Sequence, residues 1–146
     1  DSTSLEFDFT TNSGSLFFNF VFGSEEYNEF ANSLFNDVFA FYVDGQNIAF
    51  VPGTNVPISI NTINGGRPLG TNPQNPQYYN NNSLVDNGSF LTSVGYDGFT
   101  SVFTAAATGL APGTHRIKLA ISVHSVAPNS SAATRSTSSG NRQIGS

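Results

Sequence analysis

The stretch FFNFVFGSEEYNEFANSLFNDVFAFYV, residues Phe17–Val43, decides how the rest of this chain reads. Two aromatic runs, Leu16–Phe22 and Val38–Val43, flank a loop that carries Glu25, Glu26, Glu29 and Asp37. Aromatic side chains favour a pleated, half-buried surface, so the runs predict two core strands that open into one acidic loop. In the first run Leu16, Phe18, Phe20 and Phe22 point inward, while Phe17 and Val21 make the other face apolar as well. A strand covered on both faces lies centrally in a sandwich. Phe39 and Phe41 join the same core from the second run. Ser24 followed by Glu25 and Glu26 resembles a helix N-cap with an acidic first turn, which allows one short helical turn.

Outside this stretch the pattern is again that of short strands. Ser4–Thr10 alternates with Leu5, Phe7 and Phe9 on one face, a half-buried strand of period two. Val43-Asp44-Gly45-Gln46 is a hairpin signal, after which Gln46–Val51 pairs back. Val56–Ile63 carries Ile58 and Ile60 behind Pro57, which suits an edge. Asn64–Asn87 is a long irregular connection containing Tyr78 and Tyr79. Thr100–Ala106 and His115–Val123 are further strands, the latter with Ile117, Leu119 and Ile121 inward. About eight short strands with Gly/Pro turns and no long helix predict an all-β sandwich of jelly-roll type. It spans residues 1–124 as one domain. Residues 125–146 form a Ser/Thr-rich tail without aromatics, a composition that predicts disorder.

Composition narrows the function. Charged residues make up 10% of the chain, against roughly 25% in ordinary soluble domains; this suits an exported protein, as does a first residue, Asp1, that is not Met. A net charge of −5 with a single lysine, Lys118, excludes a nucleic-acid binder, which needs clustered cations. No apolar run is long enough for a membrane span. The absence of cysteine excludes disulfides and thiol chemistry. No G-x-S-x-G motif marks a nucleophile, and nothing sets Glu25 and Asp37 at a glycosidase spacing, so no enzyme is expected. His115 follows a tight turn and reads as exposed.

Two binding chemistries remain. Glu25, Glu26, Asn36 and Asp37, with Asp97 in reach, offer the oxygen ligands Ca²⁺ requires; equally, Glu25 and Glu26 can cap a helical turn. Tyr78 and Tyr79 offer a platform for a glycan, or they pin the long loop to the body.

The segments FNFVFGSEEYNEF (Phe18–Phe30), FNDVFAFYVDG (Phe35–Gly45), NIAFVPGTNVPISINTIN (Asn47–Asn64), YYNNN (Tyr78–Asn82), YDGFT (Tyr96–Thr100) and PGTHRIKLAI (Pro112–Ile121) resemble the choice-of-anchor L family. The resemblance spans Ser4 to Ile121. It implies a β-sandwich displayed outside a bacterial cell, with no assigned enzymatic activity. The family pattern follows its LAI strand with an acidic turn and a closing apolar strand, where this chain has Ser122–Ser146. The resulting expectation is an extracellular structural or adhesive module, calcium-stabilised. Strand addition at an uncovered sheet edge would join copies into a homo-oligomer or filament, with Ser4–Phe9 as the favoured donor. A carbohydrate-binding module using Tyr78 and Tyr79 is the alternative.

Overall fold

The computed structural model describes residues 1–89 and 91–125. Within them the chain is an all-β sandwich whose sheets do not close into a barrel. Ten strands follow one another: β1 (Ser2–Thr11), β2 (Ser15–Phe20), β3 (Gly23–Ser24), β4 (Phe35–Val43), β5 (Gln46–Asn47), β6 (Ile58–Ser59), β7 (Tyr79–Asn81), β8 (Gly98–Thr100), β9 (Phe103–Thr108) and β10 (Gly113–Ser125). A 3-10 turn at Pro76–Tyr78 precedes β7. No described helix is long and apolar enough to cross a membrane. The tail expected from residue 125 begins at the last residue of β10, and the remainder lies outside the described residues.

The main sheet runs β1-β10-β4-β5, with β6 also paired to β4. Its long rungs are antiparallel and in register: Leu5 opposes Leu119, which opposes Phe41, and Phe7 opposes Ile117, which opposes Val43. Residues opposite one another share a face, so this register lines up one apolar face across three strands. On the other face Lys118 Nζ meets Glu6 at 2.9 Å and Arg116 Nε meets Asp8 at 2.9 Å. The β4–β5 turn is built as its sequence suggests. Asp44 and Gly45 both take positive φ, 49° and 82°, the conformation a two-residue hairpin turn of matching twist requires.

A second, two-stranded sheet of β2 and β9 lies over this face, and β3-β8-β7 form a third small sheet at one end. Phe18 meets Phe41 edge-on with centroids 4.9 Å apart, and Phe20 meets Phe39 at the same distance. Phe22, Phe103, Ile58, Ile60 and Ile63 belong to the same buried cluster. The expectation that β2 is central and covered on both faces is overturned. Among the described residues its only strand partner is β9, and Phe17 and Val21 on the outer side are exposed. Alternation identified the inward face; whether the opposite face is covered depends on the number of layers, which alternation does not encode.

Candidate functional site

Three places in the fold gather the residues singled out by sequence, and a fourth emerges from the packing. The first is the acidic loop. Ser24 is buried, and its Oγ accepts the Glu26 N–H at 2.9 Å while donating to Asp37 Oδ2 at 2.6 Å. Backbone bonds such as Phe30 N–H to Glu26 O shape the following residues into successive turns and not a helix. Burial raises the Glu26 carboxyl above its ordinary range, and the nearby Asp37 and Glu29 charges push the same way. Asp37 Oδ1 is buried with no hydrogen-bond partner among the described residues. Asp97 is likewise raised, first by burial and then by Glu25, Glu29 and Asp86. Four of the five expected ligands therefore fall into two neighbourhoods, Glu26 with Asp37 and Glu25 with Asp97. Asn36 commits its Oδ1 to the Asn61 N–H at 3.1 Å. Among the described residues no three acids or histidines stand close enough to hold a metal ion together.

The second place is the long connection, which is organised by buried asparagines that composition alone made look like surface. Asn28 is buried; its Nδ2 donates to Asn81 Oδ1 at 3.1 Å and to Asp86 Oδ2 at 2.9 Å, and its Oδ1 accepts the Tyr79 hydroxyl. Asn64 bridges Ile60 O and the Gly66 N–H, and Asn82 donates to Tyr96 O at 2.9 Å. Asn64 and Asn82 satisfy backbone groups that a buried loop would otherwise leave bare, while Asn28 ties three side chains of the loop together. Tyr79 packs on Tyr27 with centroids 4.8 Å apart, and Tyr78 meets Phe103 edge-on at 5.3 Å. Both rings point into the body and pin the loop there. Burial raises the Tyr79 and Tyr27 hydroxyls well above their ordinary value, so both stay neutral donors.

The third place corrects the reading of His115, which is buried and not exposed. Its position on β10, opposite Phe9 on β1, turns the imidazole to the inner face. There Nδ1 lies 2.6 Å from Asp44 Oδ2, Nε2 lies 2.7 Å from Ala111 O, and the ring sits 5.5 Å from Phe9. No sequence signal linked His115 to Asp44, 71 positions away.

The fourth place is the flank of the sandwich. Across the inner face of the main sheet, exposure climbs toward β1: Phe41 is 0% exposed and Phe39 7%, but Ile121 is 50%, Phe7 42% and Leu5 62%. Val123 is exposed beside them. The cause lies in the second sheet. Ala106, Ala107 and Leu110 border Val43, Gln46 and Ile48, so β9 sits on the β5 side. The other edge of β2 therefore faces the β10–β1 side, where no strand follows it among the described residues. The result is an apolar floor of Leu5, Phe7, Ile121 and Val123 beside a strand edge that has no partner among the described residues.

The choice-of-anchor L domain model matches residues 1–133. The chain belongs to the choice-of-anchor L family. No curated protein and no solved structure matches it. Membership makes this choice-of-anchor L domain a surface-associated bacterial module at the coarse level. The FGSEEY motif that carried the resemblance is the turn nucleated by Ser24, and FNDVF supplies Asp37 to the same hydrogen bond. The N-terminal strand proposed as a donor to other copies is paired along its whole length with β10 of its own chain.

Proposed function

We propose that this domain is an extracellular structural or adhesive module that joins its neighbours by accepting an extended segment along the open flank. The observation that carries the reading is the exposed floor of Leu5, Phe7, Ile121 and Val123 beside an edge of β2 that is unpaired among the described residues. Natural sheets rarely leave such an edge uncovered. A strand laid beside β2 would gain backbone hydrogen bonds from that edge and apolar burial from the floor, the two ingredients of strand addition. Because β1 is engaged at home, the donor is another alternating segment, and repetition head to tail without closure would build a filament. Light scattering across a wide concentration range, with particle images of the purified chain, tests the reading against Leu5→Lys and Ile121→Lys. The wild type should associate while both variants stay monomeric with near-normal melting temperatures. A wild type that remains monomeric throughout removes the self-assembly reading and leaves the surface module.

Calcium stabilisation has one observation in its favour, the partnerless Asp37 Oδ1 beside Glu26. Ca²⁺ would supply the missing partner and relieve the repulsion between the two carboxylates. Bound at 100 times its Kd it would add about 2.7 kcal/mol of stability. A melting temperature indifferent to EGTA and to added Ca²⁺ would retire the idea.

A further inference from the structure

The His115 ring makes two contacts that fix more than its position. Its Nδ1 meets a carboxylate oxygen of Asp44 and its Nε2 meets the carbonyl oxygen of Ala111. Both partners can only accept at neutral pH. A neutral imidazole carries one N–H, so it would satisfy one contact and set a nitrogen lone pair against an oxygen lone pair at the other. Only the imidazolium donates to both. The two contacts reach into different turns, since Asp44 belongs to the β4–β5 hairpin and Ala111 to the β9–β10 connection.

We propose that His115 is a pH-sensitive clasp which, as imidazolium, fastens the β4–β5 hairpin and the β9–β10 connection against β1 and lets them part when the ring loses its proton. Asp44 is the centre of the arrangement. Its Oδ2 takes the ring proton's bond, its Oδ1 accepts the Arg116 N–H at 2.9 Å, and its own N–H donates to Arg116 O at 2.9 Å. The other groups around the ring do not compete for it. Phe9 of β1 presents a neutral face, Ala111 presents a carbonyl, and the Arg116 guanidinium lies on the opposite face of the sheet in its pair with Asp8. Asp44 is the one charged side chain among the described residues that acts on the imidazole.

The pH window follows from the directions of the two shifts. The hydrogen bond to Asp44, then that to Ala111, raises His115 above its ordinary 6.5. Its contribution is therefore complete below 6.5 and is lost as the pH rises through the higher folded value. The bond from His115, then that from Arg116 N–H, lowers Asp44 below its ordinary 3.8. Its contribution is present above 3.8 and is lost as acid carries it through the lower folded value. Between those limits the clasp is closed; alkali opens it from the histidine side.

Nuclear magnetic resonance on the isotope-labelled wild-type chain tests this without any variant, with His124 as the second imidazole in the same sample. The expected result is a His115 ring protonated at both nitrogens below pH 6.5 and titrating above 6.5, with the backbone signals of Asp44, Gly45 and Ala111 moving along the same curve. Asp44→Asn should bring that titration down, and His115→Gln should flatten the alkaline limb of melting temperature against pH. A wild-type ring that titrates at or below 6.5 overturns the proposal. So does a ring that titrates while the Asp44 and Ala111 signals stay still.

Discussion

Truncating Phe41 and Phe7 in parallel measures how far the second sheet covers the first. Both sit on the inner face of the main sheet, but Phe41 is wholly buried against Phe18 and Phe7 is 42% exposed. Removing a fully buried phenylalanine ring typically costs about 3–5 kcal/mol, because the lost transfer energy is joined by a cavity that cannot collapse. The edge-on Phe18 ring, an interaction worth about 0.5–1.5 kcal/mol beyond area burial, places Phe41→Ala in the upper part of that range. For Phe7 only the transfer part applies. Burying a whole phenylalanine is worth about 1.5–3 kcal/mol, and little more than half of this ring is covered, which gives about 1–1.5 kcal/mol. An open flank adds no cavity. Urea unfolding with an unchanged m-value should therefore separate the two variants by about 3 kcal/mol. Equal costs would mean the flank is covered in solution, and the reasoning about the missing neighbour of β2 would fail. A cost below about 2 kcal/mol for Phe41→Ala would mean the register itself is misread.

Other perturbations probe the loops. Tyr79→Phe deletes the hydroxyl that Asn28 Oδ1 accepts and leaves that buried oxygen without its donor, which should lower unfolding free energy by about 1–3 kcal/mol in urea titrations. Gly98→Ala would set a Cβ within 2.6 Å of the Tyr79 ring and 2.8 Å of Tyr27, so overpacking should cost about 1–3 kcal/mol, read as a lower Tm. Asp97 is raised by burial, then by Glu25, Glu29 and Asp86. The charged form is thus disfavoured in the fold, and Asp97→Asn should raise Tm at pH 7 with an advantage that shrinks as acid protonates the wild-type group. A lower Tm confined to Ca²⁺-containing buffer would instead show that Asp97 ligates the ion.

The strands with large alternating rings were legible in the sequence, and for a plain reason. Leu5, Phe7 and Phe9, or Ile117, Leu119 and Ile121, mark one face with period two, and β1 and β10 follow that marking. Asp44-Gly45 demanded the turn it makes. What alternation could not convey was cover. Ile121 and Val123 are on the inner face as their spacing requires, yet the second sheet stops short of them. β5 and β6 fall inside the expected Gln46–Val51 and Val56–Ile63 strands but are shorter, whereas β3 and β7 escaped, since pairing there is set by what β8 offers across the gap and not by their own side chains. At the site level, the Ser24–Asp37 contact joins the two motifs that framed the acidic loop, while the asparagine bonds of the long connection were hidden by composition. Asn28, Asn64 and Asn82 read as exposed until Asn64 and Asn82 are seen facing backbone groups that burial has cut off from water, and Asn28 facing the Asn81, Asp86 and Tyr79 side chains.

The antiparallel pairing of β1 with β10 also determines how the domain would answer a pull. Asp1 O accepts the Val123 N–H at 2.9 Å, and the first rung joins Ser2 to Ser122, so Asp1 and the end of β10 share one corner of the sheet. Tension applied between Asp1 and Ser125 would load that ladder from its open end. The rungs would break singly, as a zipper parts, and not together as they would if the strands were dragged past one another lengthwise. The first mechanical event would be the peeling of β1, which strips Leu5 and Phe7 from the floor and bares the free side of β10.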